Sequence, residues 1–224
     1  MVWTRRNAII SLTILFLFSI GFIVAMEFRQ KLQPSRQVMQ VVVDTTLLRE
    51  GDLLLRMGEG WQSWMVAQLS GSEYSHIALA HHSSAGWMAT HAVPGEQKPG
   101  EQREYLKTEP LNEYYASDRA VRGAVVRVDC SDACARGAID FALDKVARKF
   151  EFDHQYALSD SSKYYCTELI YRAYLEQGID FFPNREASTT AVQDQEPWLY
   201  PSAFLNHENT AWYKVWDIQP QPTE

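Results

Sequence analysis

Cysteine is scarce in this sequence, with three in 224 residues. The chain also lacks a CxxC pair and an HExxH motif, so the common zinc-site patterns are missing and we expect no metal. No nucleotide-binding or other cofactor motif is present, and no basic patch interleaved with aromatic residues occurs. Because a net charge of −7 repels phosphate backbones, the chain is not expected to bind nucleic acid, and we also expect no cofactor.

The composition predicts one folded domain behind a positively charged N-terminus. Residues 1–36 carry a net charge of +4, which leaves −11 on the remainder. The chain is 46% apolar and 12% aromatic, too hydrophobic for a disordered protein. We expect an anchor and linker over residues 1–36, a folded domain over residues 37–218 and a disordered tail over residues 219–224.

An uncharged run near the N-terminus predicts a membrane anchor. Residues 8–26 contain no charge and would extend about 28 Å as a helix, which matches the hydrocarbon core of a bilayer. Ala25 would have Ile23 two residues before it, so a signal-peptide cleavage site is missing and an uncleaved helix is favoured. Arg5 and Arg6 precede the run and Arg29, Lys31 and Arg36 follow it, so the positive-inside rule is nearly balanced. Because the segment before the run is short, we expect an N-inside, single-pass protein of the bacterial inner membrane with a periplasmic domain.

Periodicity in the rest of the chain predicts a mixed α+β fold, with strands in a run flanked by helices. Apolar residues from Trp61 to Leu69 recur at helical spacing before Gly71 and predict an amphipathic helix. Two further helices are expected, one around residues 135–150 and one that starts near Cys166. The strand-like runs are residues 53–56, 76–81, 87–93, 121–128 and 212–218.

Cys166 immediately precedes an apolar helical stripe. At that position the first-turn N–H groups and the helix dipole are expected to favour the thiolate and lower the thiol pKa from about 8.5, which would make a nucleophile. A small buried side chain is the alternative interpretation. Cys130 and Cys134 are four residues apart, and a disulfide or simple burial would each account for them.

Two histidines are candidate bases for such a nucleophile. His76 opens a strand and shares a face with Ala78 and Ala80, and these small neighbours are expected to leave room for a partner helix and a substrate. His91 lies in the next strand-like run, where antiparallel pairing is expected to place it beside His76. Each histidine alone is more simply interpreted as a hydrogen-bonded structural residue.

Four blocks resemble one known family when they are taken together. In chain order they are GDLLLR from Gly51, YSHIAL from Tyr74, KFEFD from Lys149 and YYCTELIYRAY from Tyr164. They resemble the YaeF/YiiX group of permuted papain-like amidases, in which the histidine strand precedes the cysteine helix. The likeness covers about residues 50 to 205. The lecithin retinol acyltransferase group is similar in its histidine-first order.

The resemblance implies a circularly permuted papain-like domain with an antiparallel sheet and flanking helices. It also implies Cys166 as nucleophile and His76 as base. The third catalytic position of the family falls in the following strand, where many members carry a carboxylate and this chain has His91. A neutral His91 would accept a hydrogen bond from His76 and fix its tautomer, although it would stabilise an imidazolium less than a glutamate.

The expected function is therefore a membrane-anchored thiol hydrolase, an amidase or peptidase that forms an acyl-enzyme on Cys166. Its partner would be an amide- or ester-containing peptide or lipid, such as a cell-wall peptide or a lipid-linked amide. One alternative is an acyltransferase or lipid hydrolase of the lecithin retinol acyltransferase type. Another is a catalytically silent, membrane-tethered domain that binds peptides or lipids.

Overall fold

The structure is a computed structural model that describes residues 39–97, 100–183, 199–205, 212–218 and 220–222. Its helices are α1 (Trp61–Ser70), α2 (Leu111–Tyr114), α3 (Asp132–Ala147) and α4 (Cys166–Leu175), with a 3-10 helix at Pro201–Leu205. Its strands are β1 (Met39–Val41), β2 (Leu53–Met57), β3 (His76–Ser83), β4 (Gly86–His91), β5 (Lys107–Pro110), β6 (Arg122–Val128), β7 (Glu151–Phe152), β8 (Lys163–Tyr164), β9 (Trp212–Ile218) and β10 (Pro220–Pro222).

A six-stranded sheet in the order β5-β4-β3-β2-β6-β9 forms the centre of the domain. Every neighbouring pair in it is antiparallel. Strands β1 and β10 pair separately, as do β7 and β8. The arrangement confirms the expected α+β class with an antiparallel sheet and flanking helices.

Helices α3 and α4 pack on one face of this sheet. The apolar side chains of α4 recur at helical spacing, and Leu169, Ile170 and Ala173 are fully buried against the sheet. On β3 the residues that meet them are Ile77 and Leu79, which are also fully buried. Since alternate residues of a strand point to opposite faces, His76, Ala78 and Ala80 point to the other side.

The face of β3 that carries the small residues is covered by α2 and by Tyr115. Ala78 and Ala80 pack in a second core with Tyr114 and Tyr115, at the end of α2 and just after it. The two tyrosine hydroxyls donate hydrogen bonds to the carbonyl oxygens of residues 54 and 55, at 2.9 and 3.1 Å. A short helix, α2, therefore packs on this face, and the cysteine-bearing helix packs on the opposite face.

Close contacts fix α4 to the start of β2. The Tyr174 hydroxyl donates a 2.5 Å hydrogen bond to the carbonyl oxygen of Gly51. Gly51 has φ +84°, and a Cβ there would lie 2.7 Å from both the Tyr174 hydroxyl and the Ala135 side chain. Only glycine fits this backbone and this approach. The adjacent Asp52 is buried and forms a bidentate ion pair with Arg127 of β6 at 2.8 Å.

Helix α1 forms where the sequence predicts it, but its apolar residues face outwards. Gly71 ends the helix in the left-handed conformation, as expected from its position. Only Ala67 is buried, whereas Trp61, Trp64 and Leu69 are 68%, 57% and 63% exposed. The helix therefore lies where it is predicted, and most of its apolar side chains are exposed.

The predicted membrane helix at residues 8–26 lies outside the described residues. Within the part of the chain that the structure describes, none of the helices has the length and apolar character needed to cross a bilayer.

Candidate active site

Cys166 is the first residue of α4 and is half-buried. Tyr165 before it is extended, with φ −97° and ψ 171°, so the chain turns into the helix at the cysteine. Burial raises the pKa of the Cys166 thiol to about 11, while the N–H groups of Ile77, Thr167 and Cys166 itself oppose that rise. The expectation of a lowered pKa is therefore wrong, because desolvation outweighs the amide groups at the helix start, and the thiol is neutral near pH 7.

His76 is the first residue of β3, next to the Ile77 N–H group that faces the Cys166 sulfur. The ring is buried, and burial together with the positive charge of Arg56 holds its pKa well below 6.5. His76 is therefore neutral near pH 7 and able to accept a proton.

His91 lies beside His76, as the sequence predicts. Strand β4 pairs with β3 in the register Leu79↔Thr90, which carries His91 opposite Ala78 and diagonally across from His76. His76 Nε2 and His91 Nδ1 are 2.8 Å apart, and His91 is fully buried. Burial lowers the pKa of His91 to about 4 despite a neighbouring carboxylate, so this ring is also neutral near pH 7.

Glu109 on β5 supplies that carboxylate. Its Oε1 lies 3.0 Å from His91 Nε2, and its Oε2 lies 2.9 Å from both Lys107 Nζ and Arg119 Nη1. Although burial opposes ionisation, the hydrogen bond from His91 and the charge of Lys107 hold the pKa of Glu109 well below 4.5. Glu109 is consequently ionised and can only accept hydrogen bonds.

This carboxylate sets the tautomers of both rings. Because Glu109 accepts, His91 must carry its proton on Nε2, and its Nδ1 is then an acceptor. His76 must in turn donate from Nε2 to His91 Nδ1. The Nδ1 atom of His76 is left with a free lone pair, so this ring can accept a proton there.

Sequence reasoning missed Glu109. The carboxylate that the family resemblance implies in the strand after the histidine strand lies one strand further out, on β5, and His91 bridges the gap. Strand β5 is four residues long, and its lysine, threonine and proline give no strand periodicity. No signal in a single sequence marks this glutamate.

A cavity of about 850 Å³ joins the cysteine to the histidine. Cys166, His76 and Tyr165 line it together with residues of α1, which form one wall, and of the segment after β4. The α1 wall is largely apolar, with Trp61, Met65, Val66 and Leu69, whereas charged groups that include Arg56, Glu96 and Arg119 lie elsewhere around the cavity. The site can therefore take a substrate that has both apolar and polar parts.

The other two cysteines lie outside this cavity and are free thiols. Burial and a hydrogen bond with Cys134 raise the pKa of Cys130 to about 12, so the two sulfurs are neighbours without a disulfide. Among the residues that the structure describes, no three His, Cys, Asp or Glu side chains are grouped to hold a metal ion.

Comparison with known proteins shows similarity both in sequence and in fold. A model of the permuted papain-like amidase enzymes of the YaeF/YiiX type, the C92 peptidase family, matches residues 47–210. No curated protein matches the chain. A crystal structure of the metalloprotein YiiX from Escherichia coli O157:H7 superposes with a TM-score of 0.58 at 16% identity, over 77% of this chain and 98% of that one. That likeness shows a shared fold, and the family match confirms the resemblance seen in the sequence.

Proposed function

Because the chain belongs to the YaeF/YiiX family of permuted papain-like amidases, we propose that it is a membrane-anchored cysteine hydrolase that cleaves an amide through an acyl-enzyme on Cys166. The observation that carries the proposal is the polar chain from Glu109 through His91 to His76, which ends at the cavity that contains Cys166. Burying a charged carboxylate costs free energy of folding, so packing alone does not explain it. Its hydrogen bonds fix the tautomers of His91 and then of His76, which is what a general base requires.

The reaction starts from a neutral pair. At neutral pH the Cys166 thiol and the His76 imidazole are both uncharged, because the thiol pKa is raised to about 11 and the imidazole pKa is well below 6.5. His76 Nδ1 accepts the thiol proton as the sulfur attacks the substrate carbonyl carbon. The imidazolium that forms is stabilised through His91 by the charge of Glu109.

Backbone N–H groups at the start of α4 receive the charge that develops on the substrate oxygen. Those of Cys166 and Thr167 point towards the region of the sulfur, where they already favour its anionic form. His76 then gives its proton to the leaving amine, the carbon–nitrogen bond breaks and a thioester remains on Cys166. Water, deprotonated by His76, attacks the thioester, releases the carboxylic acid and restores the thiol.

The substrate class that suits the cavity is an amide carried by a peptide or lipid of the bacterial envelope. The apolar wall formed by Trp61, Met65 and Leu69 suits an acyl chain or apolar side chain, and the charged groups suit a polar head. The uncharged run at residues 8–26 would anchor the domain to the inner membrane, and the N-inside orientation would place it in the periplasm.

The proposal is tested by hydrolysis of a panel of N-acyl para-nitroanilides with acyl chains of increasing length. Cys166→Ala should lose at least about a thousandfold in turnover, whereas Cys130→Ala, which removes a thiol outside the cavity, should keep it. Wild-type turnover by Cys166→Ala would overturn covalent catalysis by this residue. Binding of an acyl anilide without turnover or acyl-enzyme in the wild type would favour the binding-domain alternative.

A further inference from the structure

Helix α1 combines strong exposure of apolar side chains with a complete lack of charge. Trp61, Trp64, Met65 and Leu69 are 68%, 57%, 39% and 63% exposed, and they account for most of the large exposed apolar side chains in the part of the chain that the structure describes. Residues 60–72 contain no charged side chain. A ten-residue helix that turns such a face outwards needs a partner to cover it.

The same helix forms the apolar wall of the active-site cavity. Trp61, Met65 and Leu69 both line the cavity and remain exposed, whereas Trp64 is exposed without lining it. The mouth of the cavity and the exposed helix face are therefore continuous. Whatever covers the helix face also lies at the entrance to the cavity that contains Cys166.

A second copy of the chain is a poor partner for this face. Helix α1 spans only about 15 Å, and a stable protein interface takes about 800 Å² and twenty or more residues from each partner. The four exposed apolar side chains of α1 are far fewer residues than that.

We propose that α1 docks the domain onto the surface of a lipid bilayer, with the cavity mouth facing the lipid. The inference rests on the proposed membrane anchor, because it assumes that residues 8–26 hold the chain in a bilayer. Only residues 27–38 separate that run from the described domain, and twelve residues reach at most about 40 Å. The proposed anchor would thus keep the domain close to a bilayer surface, at a high effective concentration.

The chemistry of the helix suits the bilayer interface. Tryptophan is enriched at the headgroup level, where its ring is half in lipid and half in water, and α1 presents two tryptophans with a leucine and a methionine. The domain is acidic, with −11 on the residues after 36, so attraction to anionic lipid does not contribute and zwitterionic lipid should suffice. Docking in this way deepens the proposed function, because the substrate would be an amide whose acyl chain enters from the membrane.

The test uses the full chain reconstituted in phosphatidylcholine vesicles with brominated acyl chains, since bromine quenches tryptophan emission only on contact. Of the seven tryptophans, Trp3 adjoins the uncharged run and Trp61 and Trp64 lie on α1. If these three meet lipid, Trp64→Gln should remove roughly a third of the bromine-dependent quenching, and Trp61→Gln/Trp64→Gln roughly two thirds. Trp87→Gln, on β4, is the matched control and should remove none.

Quenching that is the same in wild type and in the double variant would overturn the inference. Shielding of Trp64 from aqueous acrylamide without bromine-dependent quenching would also overturn it, because protein rather than lipid would then cover the helix. A carbonate wash of the vesicles tests the anchor separately. A chain that shows α1 quenching but is washed off supports docking and contradicts the anchor, whereas a retained chain without α1 quenching contradicts docking alone.

Discussion

Helices α1 and α4 are both ten residues long and border the same cavity, yet their environments are opposite. Helix α4 buries seven residues and carries Cys166 at its first position. Helix α1 buries Ala67 alone and exposes two tryptophans. Apolar residues at helical spacing therefore predict a helix but do not identify what covers its apolar side chains.

The two helices also have different roles in the proposed enzyme. The buried helix holds the nucleophile against β3, where His76 and its hydrogen-bonded partners are equally buried. The exposed helix shapes the cavity entrance and is available to a substrate or surface. Changes on the α4 side should therefore affect chemistry and stability strongly, and changes on α1 should affect neither stability nor fold.

The largest effect is expected from His76→Ala, which removes the proposed base from the cavity that Cys166 also lines. Turnover of para-nitrophenyl butyrate should fall by about a thousandfold or more, since general-base catalysis contributes up to about 10⁴. His81→Ala is the matched control, because His81 is buried on the same strand and contacts Thr90 outside the cavity. Equal losses of turnover in the two variants, with circular dichroism unchanged, would show that any change in β3 lowers turnover. The loss in His76→Ala would then not indicate a base.

Alkylation of Cys166 tests whether the Cys166 thiol and the His76 imidazole are both uncharged at neutral pH. Because burial raises the thiol pKa to about 11, the thiolate fraction should grow with pH up to that value. The rate of iodoacetamide labelling of Cys166, followed by peptide mass spectrometry, should rise about tenfold per pH unit from pH 7 to pH 10. A free thiol in the same tube should level off above about pH 8.5. A rate that is already flat from pH 6 would contradict the neutral pair and indicate a preformed thiolate–imidazolium pair.

Leu169→Ala tests how strongly the burial of α4 stabilises the protein, because it should open a cavity under that helix. Leu169 is fully buried, so the variant should lose about 2–5 kcal/mol of the free energy of unfolding. Chemical denaturation followed by circular dichroism measures the loss. A loss below about 1 kcal/mol would mean that α4 is held less firmly than its burial indicates.

Glu109→Gln tests whether the carboxylate acts through His91. The glutamine carbonyl can still accept from His91, but the negative charge is lost, and a charge-assisted hydrogen bond is worth about tenfold to a hundredfold in rate. We expect kcat to fall by that factor with little change in KM, because Glu109 does not line the cavity. An unchanged kcat would limit Glu109 to a structural role, and a raised KM alone would place it in substrate binding.

The smallest effect is expected from Leu69→Ala, the counterpart of Leu169→Ala on the exposed helix. Leu69 is 63% exposed, so the free energy of unfolding should change by less than about 0.5 kcal/mol. The same denaturation experiment measures it. A loss as large as that of Leu169→Ala would show that α1 is packed against the protein, and the contrast between the two helices would be gone.

Much of the fold follows from sequence pattern. The helix at Cys166, the strands that begin at Leu53 and His76, and the final strand at Trp212–Ile218 all lie where periodicity and turn residues place them. The short strand β5 does not follow, since four residues carry too few alternations to distinguish a strand from a loop. Pattern also predicts which residues of α4 point inwards, because the sheet beneath that helix is itself apolar.

The candidate site was predictable only in part. Ordered blocks singled out Cys166 and His76, and strand pairing placed His91 next to His76. Glu109 could not be found, because its place depends on the order of β4 and β5 in the sheet. The raised thiol pKa could not be found either, since the helix-start argument counts nearby N–H groups and omits the desolvation that burial imposes.

Stopped-flow mixing with para-nitrophenyl butyrate, followed by peptide mass spectrometry, tests whether Cys166 becomes acylated with His76 as its base. We expect a burst of about one equivalent of nitrophenolate and a butyryl group on the Cys166 peptide, both absent in His76→Ala. Release without a burst, or butyryl groups on Cys130 and Cys134 as often as on Cys166, would contradict this expectation.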